Sequence, residues 1–172
     1  MLERYEKELV GQYVSDPLGT RIWFMDYNFP KLIQLHYNGN KARASKALEH
    51  FRSEGRRDET GYSYDESRFS TLFWIPDIMT TPDSIHTNRH GRILGDEVYV
   101  KRYAKGGACF KIVFTEIDAA LNQRIVTTSF MTQSDRLEEF VTMPPKWERK
   151  ERPQPKEEQL DLSLESKRKE PH

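Results

Sequence analysis

Apolar and polar positions follow two different rhythms along this chain. In the first half apolar residues recur every three to four positions. Lys41 to Arg52 carries Ala44, Leu48 and Phe51 on one helical face, with Gly55 as a stop. A second helix, capped by Ser63 or Asp65, would carry Phe69, Leu72 and Phe73. Pro76 and Pro82 then confine any helix over Trp74 to Met79 to a short one. Ahead of these lie a strand-like run, Arg21 to Met25, and the segment Asn28 to Ile33. After residue 83 the period falls to two: Ser84 to Thr87, Glu97 to Tyr103, Phe110 to Ile117 and Arg124 to Phe130 read as strands, with Gly106-Gly107 as one turn. Ser134 or Asp135 caps a last helical turn ending near Phe140. The pattern predicts an α+β fold, with N-terminal helices packed on a four-stranded antiparallel β-meander.

The pattern stops at Pro144. From there to His172 stand five of the nine prolines, eight Lys/Arg and seven Asp/Glu, against only Trp147, Leu160, Leu162 and Leu164 as large apolar residues. Such a segment buries too little surface to offset the entropy of ordering it. Residues 1–143 are therefore expected to form one domain and residues 144–172 a disordered charged tail. With 27 basic and 27 acidic residues the chain has no net charge, which excludes a globally basic polymer-binding protein. A single cysteine, Cys109, excludes an internal disulfide framework, and the expectation is a cytoplasmic protein with no membrane span. No metal or other cofactor is expected.

Alternation assigns side chains to faces. Val98 and Val100, with Phe110, Ile112 and Phe114, are expected to face the helices. Tyr99, Lys101 and Tyr103, with Lys111 and Thr115, then share an open face. The fourth strand is ambiguous, because Ile125 and Val126 compete for the core and Thr127, Thr128 and Ser129 are all polar. Between Ser84 and Gly106, Arg89, Arg92, Lys101, Arg102 and Lys105 outnumber Asp96 and Glu97. Histidine, lysine, tyrosine and hydroxyl groups on an open sheet suit phosphodiester cleavage without a metal. The imidazole moves a proton, a cation stabilises charge on phosphorus, and hydroxyls fix the phosphate. The alternative is that a half-exposed sheet simply shows polar residues to water. His86 and His90 have a metal-ligand spacing but lack the Glu of a zincin. His36 and His50 read as structural and surface residues.

The strings Asn28-Phe29-Pro30-Lys31-Leu32, Tyr64-Asp65-Glu66-Ser67-Arg68, Trp74-Ile75-Pro76-Asp77 with Pro82-Asp83-Ser84-Ile85, Val98-Tyr99-Val100-Lys101 and Thr127-Thr128-Ser129-Phe130 resemble the phage-associated nucleases of the barnase/EndoU/colicin/RelE superfamily. The resemblance covers about residues 20 to 140. It implies a metal-independent endoribonuclease, toxin-like, of phage or mobile-element type, acting on RNA and held by a cognate inhibitor. By the same resemblance His86, Lys101, Tyr103, Thr128 and Ser129 are the catalytic candidates; the local excess of positive charge makes Arg89, Arg92 and Arg102 the candidate nucleic-acid contacts. In the tail, Gln159-Leu160-Asp161-Leu162-Ser163-Leu164 resembles the Gln-Leu-x-Leu-x-Leu peptide with which bacterial proteins dock on the DNA polymerase sliding clamp. Gln159, Leu160, Leu162 and Leu164 would be its anchors. The rival reading is thus a non-enzymatic protein that binds the clamp through its tail.

Overall fold

Apolar side chains on both faces of one sheet organise the chain. The computed structural model describes residues 2–37, 40–41, 48–49, 52, 62–88, 94–103 and 109–150. Helix α1 (Leu2–Glu8) leads into strands β1 (Tyr13–Ser15) and β2 (Arg21–Trp23), a 3-10 turn (Asp26–Asn28) and helix α2 (Phe29–Leu32). Strands β3 (His36–Tyr37), β4 (Asn40–Lys41) and β5 (Tyr62–Ser63) make a small separate sheet. Helices α3 (Ser67–Leu72) and α4 (Ile75–Thr80) precede β6 (Ser84–Thr87), β7 (Glu97–Tyr103), β8 (Cys109–Asp118) and β9 (Gln123–Gln133). Helix α5 (Ser134–Phe140) and strand β10 (Pro145–Glu148) follow. Most of the expected helix from Lys41 to Arg52, and the Gly106-Gly107 turn, lie outside the described residues.

The main sheet has seven strands in the order β1-β2-β9-β8-β7-β6-β10, and it curls into a half-barrel. It is mixed, because β2 runs parallel to β9 through the pairs Ile22↔Arg124 and Trp23↔Ile125, while its other pairs are antiparallel. This corrects the expected N-terminal helices on a four-stranded antiparallel meander. Strands β1, β2 and β10 extend the sheet on both sides, and the described helices are four to seven residues long. Three- and four-residue strands carry too few alternations to be read locally, and a parallel partner a hundred residues away leaves no local mark.

The C-terminal boundary also moves. Pro145, Trp147 and Glu148 pair with His86, Ile85 and Ser84, and Trp147 packs against the main core. Beyond the strand, the Arg149 amide donates to the Asp83 carbonyl at 2.8 Å. Proline at the start of an edge strand gives up no ladder hydrogen bond, so Pro145 fits there. Residues 144–150 thus belong with the fold rather than with the tail, and residues 151–172 lie outside the described residues.

Both sheet faces are covered. On one, Ile22, Ile85, Tyr99, Val113 and Val126 join Tyr5, Phe24, Phe29, Leu32, Leu72, Ile75, Ile78 and Met79 in the main core. On the other, Val98, Val100, Ile112 and Phe114 lie beneath Leu137, Phe140 and Val141 at the C-terminal end of α5. The expected face assignment is inverted: Tyr99 points to the α1–α4 side, and the two valines point away from it. A β-bulge explains the ambiguous fourth strand. Phe114 pairs with Thr128 but Thr115 pairs with Val126, so Thr127 is the extra residue, and the faces on either side of it are out of step. The Thr127 hydroxyl donates to the carbonyls of Phe114 (3.1 Å) and Leu94.

Candidate functional site

Register shows which predicted site residues meet. One row across the second face reads His86, Val98, Phe114, Thr128. Three strand spacings, roughly 14 Å, therefore separate the histidine from the threonine, with two buried apolar side chains between them. His86 is itself buried, its Nδ1 2.8 Å from the Met143 carbonyl and its Nε2 2.8 Å from the Ser84 hydroxyl. The Thr128 hydroxyl accepts from Arg68 at 3.2 Å. Arg102 also belongs to this side, its guanidinium 5.5 Å from the Phe110 ring. Lys101 and Ser129 lie on the opposite, main-core face, and Tyr103 takes the register position two residues beyond Lys101, opposite Cys109. His86 and Thr128 thus share one face, and Lys101 and Ser129 the other. Arg89, Arg92, Gln159, Leu160, Leu162 and Leu164 lie outside the described residues.

What does converge is a cluster at the α4 end of the main-core face. Lys101 and Lys111 are direct cross-strand partners on that face, an arrangement that repels and that sheets avoid unless something compensates. Helix α4 supplies the compensation. Pro76 sits in its first turn, where a missing N–H costs nothing. Its C-terminal end is tied by the Thr80 hydroxyl donating to Pro76 O (2.9 Å) and the Thr81 hydroxyl donating to Asp77 O (2.8 Å). The Thr81 hydroxyl also lies 3.1 Å from Asp77 Oδ1. The Lys101 ammonium donates to Asp77 Oδ2 at 2.6 Å and to Thr81 Oγ1 at 2.7 Å. Trp74, just ahead of the helix and three residues from Asp77, lays its indole against the Lys111 ammonium.

Exposure differs sharply within the cluster. Lys111 is 1% exposed, whereas Trp74 is 41% exposed and the Asp77 side chain 60%. Burial pushes the Lys111 amine down to about 8, with Lys101 adding to the shift and Asp77 opposing it. The hydrogen bond from Lys101 holds the Asp77 carboxyl below the usual carboxylate range. Such a site combines a carboxylate that stays ionised, an ammonium half-shared with it, an amine able to lose its proton near neutral pH, and an exposed aromatic ring. Next to Lys111 on β9 is Met131, and two residues before it Ser129 buries a hydroxyl with no hydrogen-bond partner among the described residues. The sequence reading singled out Lys101, but it passed over Trp74 and Asp77. The available signal was their three-residue spacing on a short helix, which puts both side chains on one side.

A second polar cluster occupies the other end of the same face. The Tyr99 hydroxyl lies 2.8 Å from Asp16 Oδ2 and 3.2 Å from Glu97 Oε2. Arg124 pairs with Asp96 (2.6 Å) and Glu97 (3.5 Å), and Lys146 pairs with Glu97. Asp16 Oδ1 also accepts from the Leu18 and Thr20 amides in the β1–β2 turn. Burial and the two carboxylates push the Tyr99 phenol up. Each charge here is matched by another strand, so the network clamps β1, β7, β9 and β10 together. No protein-family model, curated protein or solved structure matches this chain.

Proposed function

We propose that this chain is an endoribonuclease that cleaves RNA by acid/base chemistry without a metal, and that its site is the Lys101–Lys111–Trp74–Asp77 cluster. The observation that carries the reading is the direct opposition of Lys101 and Lys111 on one sheet face. Lys101 supplies an ammonium for a backbone phosphate and Lys111, across the ladder from it, supplies an amine. Lys101 binds the phosphate and stabilises the charge that builds on its oxygens. Lys111, as the neutral amine, takes the proton of the ribose 2′-hydroxyl. The 2′ oxygen bonds to phosphorus, the bond from phosphorus to the 5′ oxygen breaks, and that oxygen takes a proton from the Lys101 ammonium. The products are a 2′,3′-cyclic phosphate and a 5′-hydroxyl. Lys111 reaches the hydroxyl once the indole has moved off it. In this reading His86 holds the Met143 turn and transfers no proton.

RNA sequencing of cleaved ends, with EDTA present, tests the reading. Lys101→Ala is expected to lower cleavage by ~10²–10³. Cleavage by the wild type should rise with pH up to about 8, as Lys111 loses its proton, and Lys111→Met should abolish it. Cleavage that needs a divalent ion, or full activity in both variants, overturns the proposal.

A second reading rests on the match at Gln159, Leu160, Leu162 and Leu164: a tail that docks on a bacterial sliding clamp. A protein that binds the clamp and leaves RNA intact would favour it.

A further inference from the structure

We propose that Lys111 is a Schiff-base lysine, whose amine condenses with the carbonyl carbon of a small 2-oxo acid while Lys101, across the ladder, holds the acid's carboxylate. The inference goes beyond the cleavage reading and does not rest on it, because here the amine attacks carbon instead of taking a proton. A lysine forms an imine only from its neutral amine, and two surroundings keep an amine neutral: burial and a neighbouring cation. Lys111 has both, being fully buried with Lys101 as its direct cross-strand partner. Pushed down to about 8, it holds on the order of a hundred times more neutral amine at pH 7 than an ordinary lysine. Charge then selects an acid over a neutral ketone. The imine takes up a proton and becomes a cation, which the Lys101 ammonium repels unless an anion arrives with it. A 2-oxo acid carries its carboxylate on the carbonyl carbon itself. Opposed side chains on an antiparallel pair have Cβ atoms ~4.5–5.5 Å apart, so one small molecule can reach both lysines. The Lys101 ammonium donates to Asp77 Oδ2 and Thr81 Oγ1, which leaves its third N–H for the incoming carboxylate. Asp77 is tied in turn by the Thr81 hydroxyl at 3.1 Å. Ser129, diagonal to Lys111 on the same face, buries a hydroxyl with no hydrogen-bond partner among the described residues. It supplies a donor for the carbonyl oxygen. The step needs no oxidant or reductant. The amine nitrogen bonds to the carbonyl carbon, the carbon–oxygen bond breaks, and the oxygen leaves as water with the two hydrogens of the amine. The partly exposed Trp74 indole lies over the amine, so the acid enters as the ring moves aside.

The experiment incubates the full-length protein at neutral pH with millimolar pyruvate and sodium cyanoborohydride, which reduces an imine to a stable secondary amine. Peptide mass spectrometry then maps the labelled lysines. Lys111 is expected to label at least about tenfold faster than the exposed Lys7 and Lys31. The preference for pyruvate over acetone, a neutral ketone, should be at least about tenfold greater at Lys111 than at Lys31. Lys101→Met should lower labelling at Lys111 by a similar factor, and Lys101→Arg, which keeps the charge, should retain it. Should the Lys101 variants fail to fold, the wild-type comparison of pyruvate with acetone decides. Labelling at Lys111 no faster than at Lys31, or the same preference for pyruvate at both, overturns the proposal. So does a folded Lys101→Met protein that labels like the wild type. RNA cleavage without an adduct at Lys111 sinks the Schiff base and leaves the nuclease standing. An adduct without cleavage does the reverse.

Discussion

Lys111 pays for its burial in a way that pH exposes. An unfolded lysine titrates near ~10.4, whereas this one is pushed down to about 8. Between those values the unfolded chain holds more protons than the folded one, so this residue makes stability rise with pH across that window. Below about pH 8 the full cost of burying the charge is present. Lys111→Met should therefore be most stabilised relative to wild type near pH 7, with the advantage shrinking toward pH 10. Denaturant unfolding of both proteins at several pH values checks this, and a constant difference would refute it. Gly95 makes a separate claim. It sits at φ +147°, and an added Cβ would come within 2.5 Å of the Thr115 carbonyl oxygen. Gly95→Ala should cost ~1–3 kcal/mol or more in the same measurement. His86→Ala, which strips two contacts from a buried site, should cost ~1–3 kcal/mol. Cleavage per folded molecule should be unchanged.

At the level of elements, β10 decides where the protein can be cut. Its four residues cover the edge of β6, and Trp147 rests on the main core. Removing residues 144–172 should lower the thermal transition, and removing 151–172 should leave it nearly in place. Scanning calorimetry of the two truncations separates the cases. The sequence hid this strand behind Pro144, Pro145 and a run of charges whose composition belongs to a tail. The long strands were legible, since Glu97–Tyr103 and Cys109–Asp118 are rich in β-branched and aromatic residues. Which face was which could not be read. Tyr99 and Lys101 look polar beside Val98 and Val100, yet Tyr99 sinks its ring into the larger core and satisfies its hydroxyl on Asp16. That inversion carried the site with it. Lys101 was found, but its partners were sought along the sheet, His86 and Thr128 among them on the far face, instead of on α4.

Across the whole molecule, a neutral chain offers a polyanion no global attraction. The 27 acids balance the 27 bases, so the proposed affinity for RNA rests on local cations such as Lys101, and it should weaken with added salt. A filter-binding series in rising salt checks this for non-cleaved RNA, and salt-independent binding would point away from phosphate contacts. The parallel join of β2 to β9 has a further bearing, on synthesis. Residues 21–23 find their partner only when residues 124–125 have been made, and the edge of β6 is covered only by residues 145–148. Pairings this distant in sequence form slowly. The ribosome must therefore pass residue 148 before the edge of β6 is covered, whereas the two facing lysines can exist as a pair from residue 111 onward. A nascent chain of this protein can hold the lysine pair well before its sheet is complete on either side.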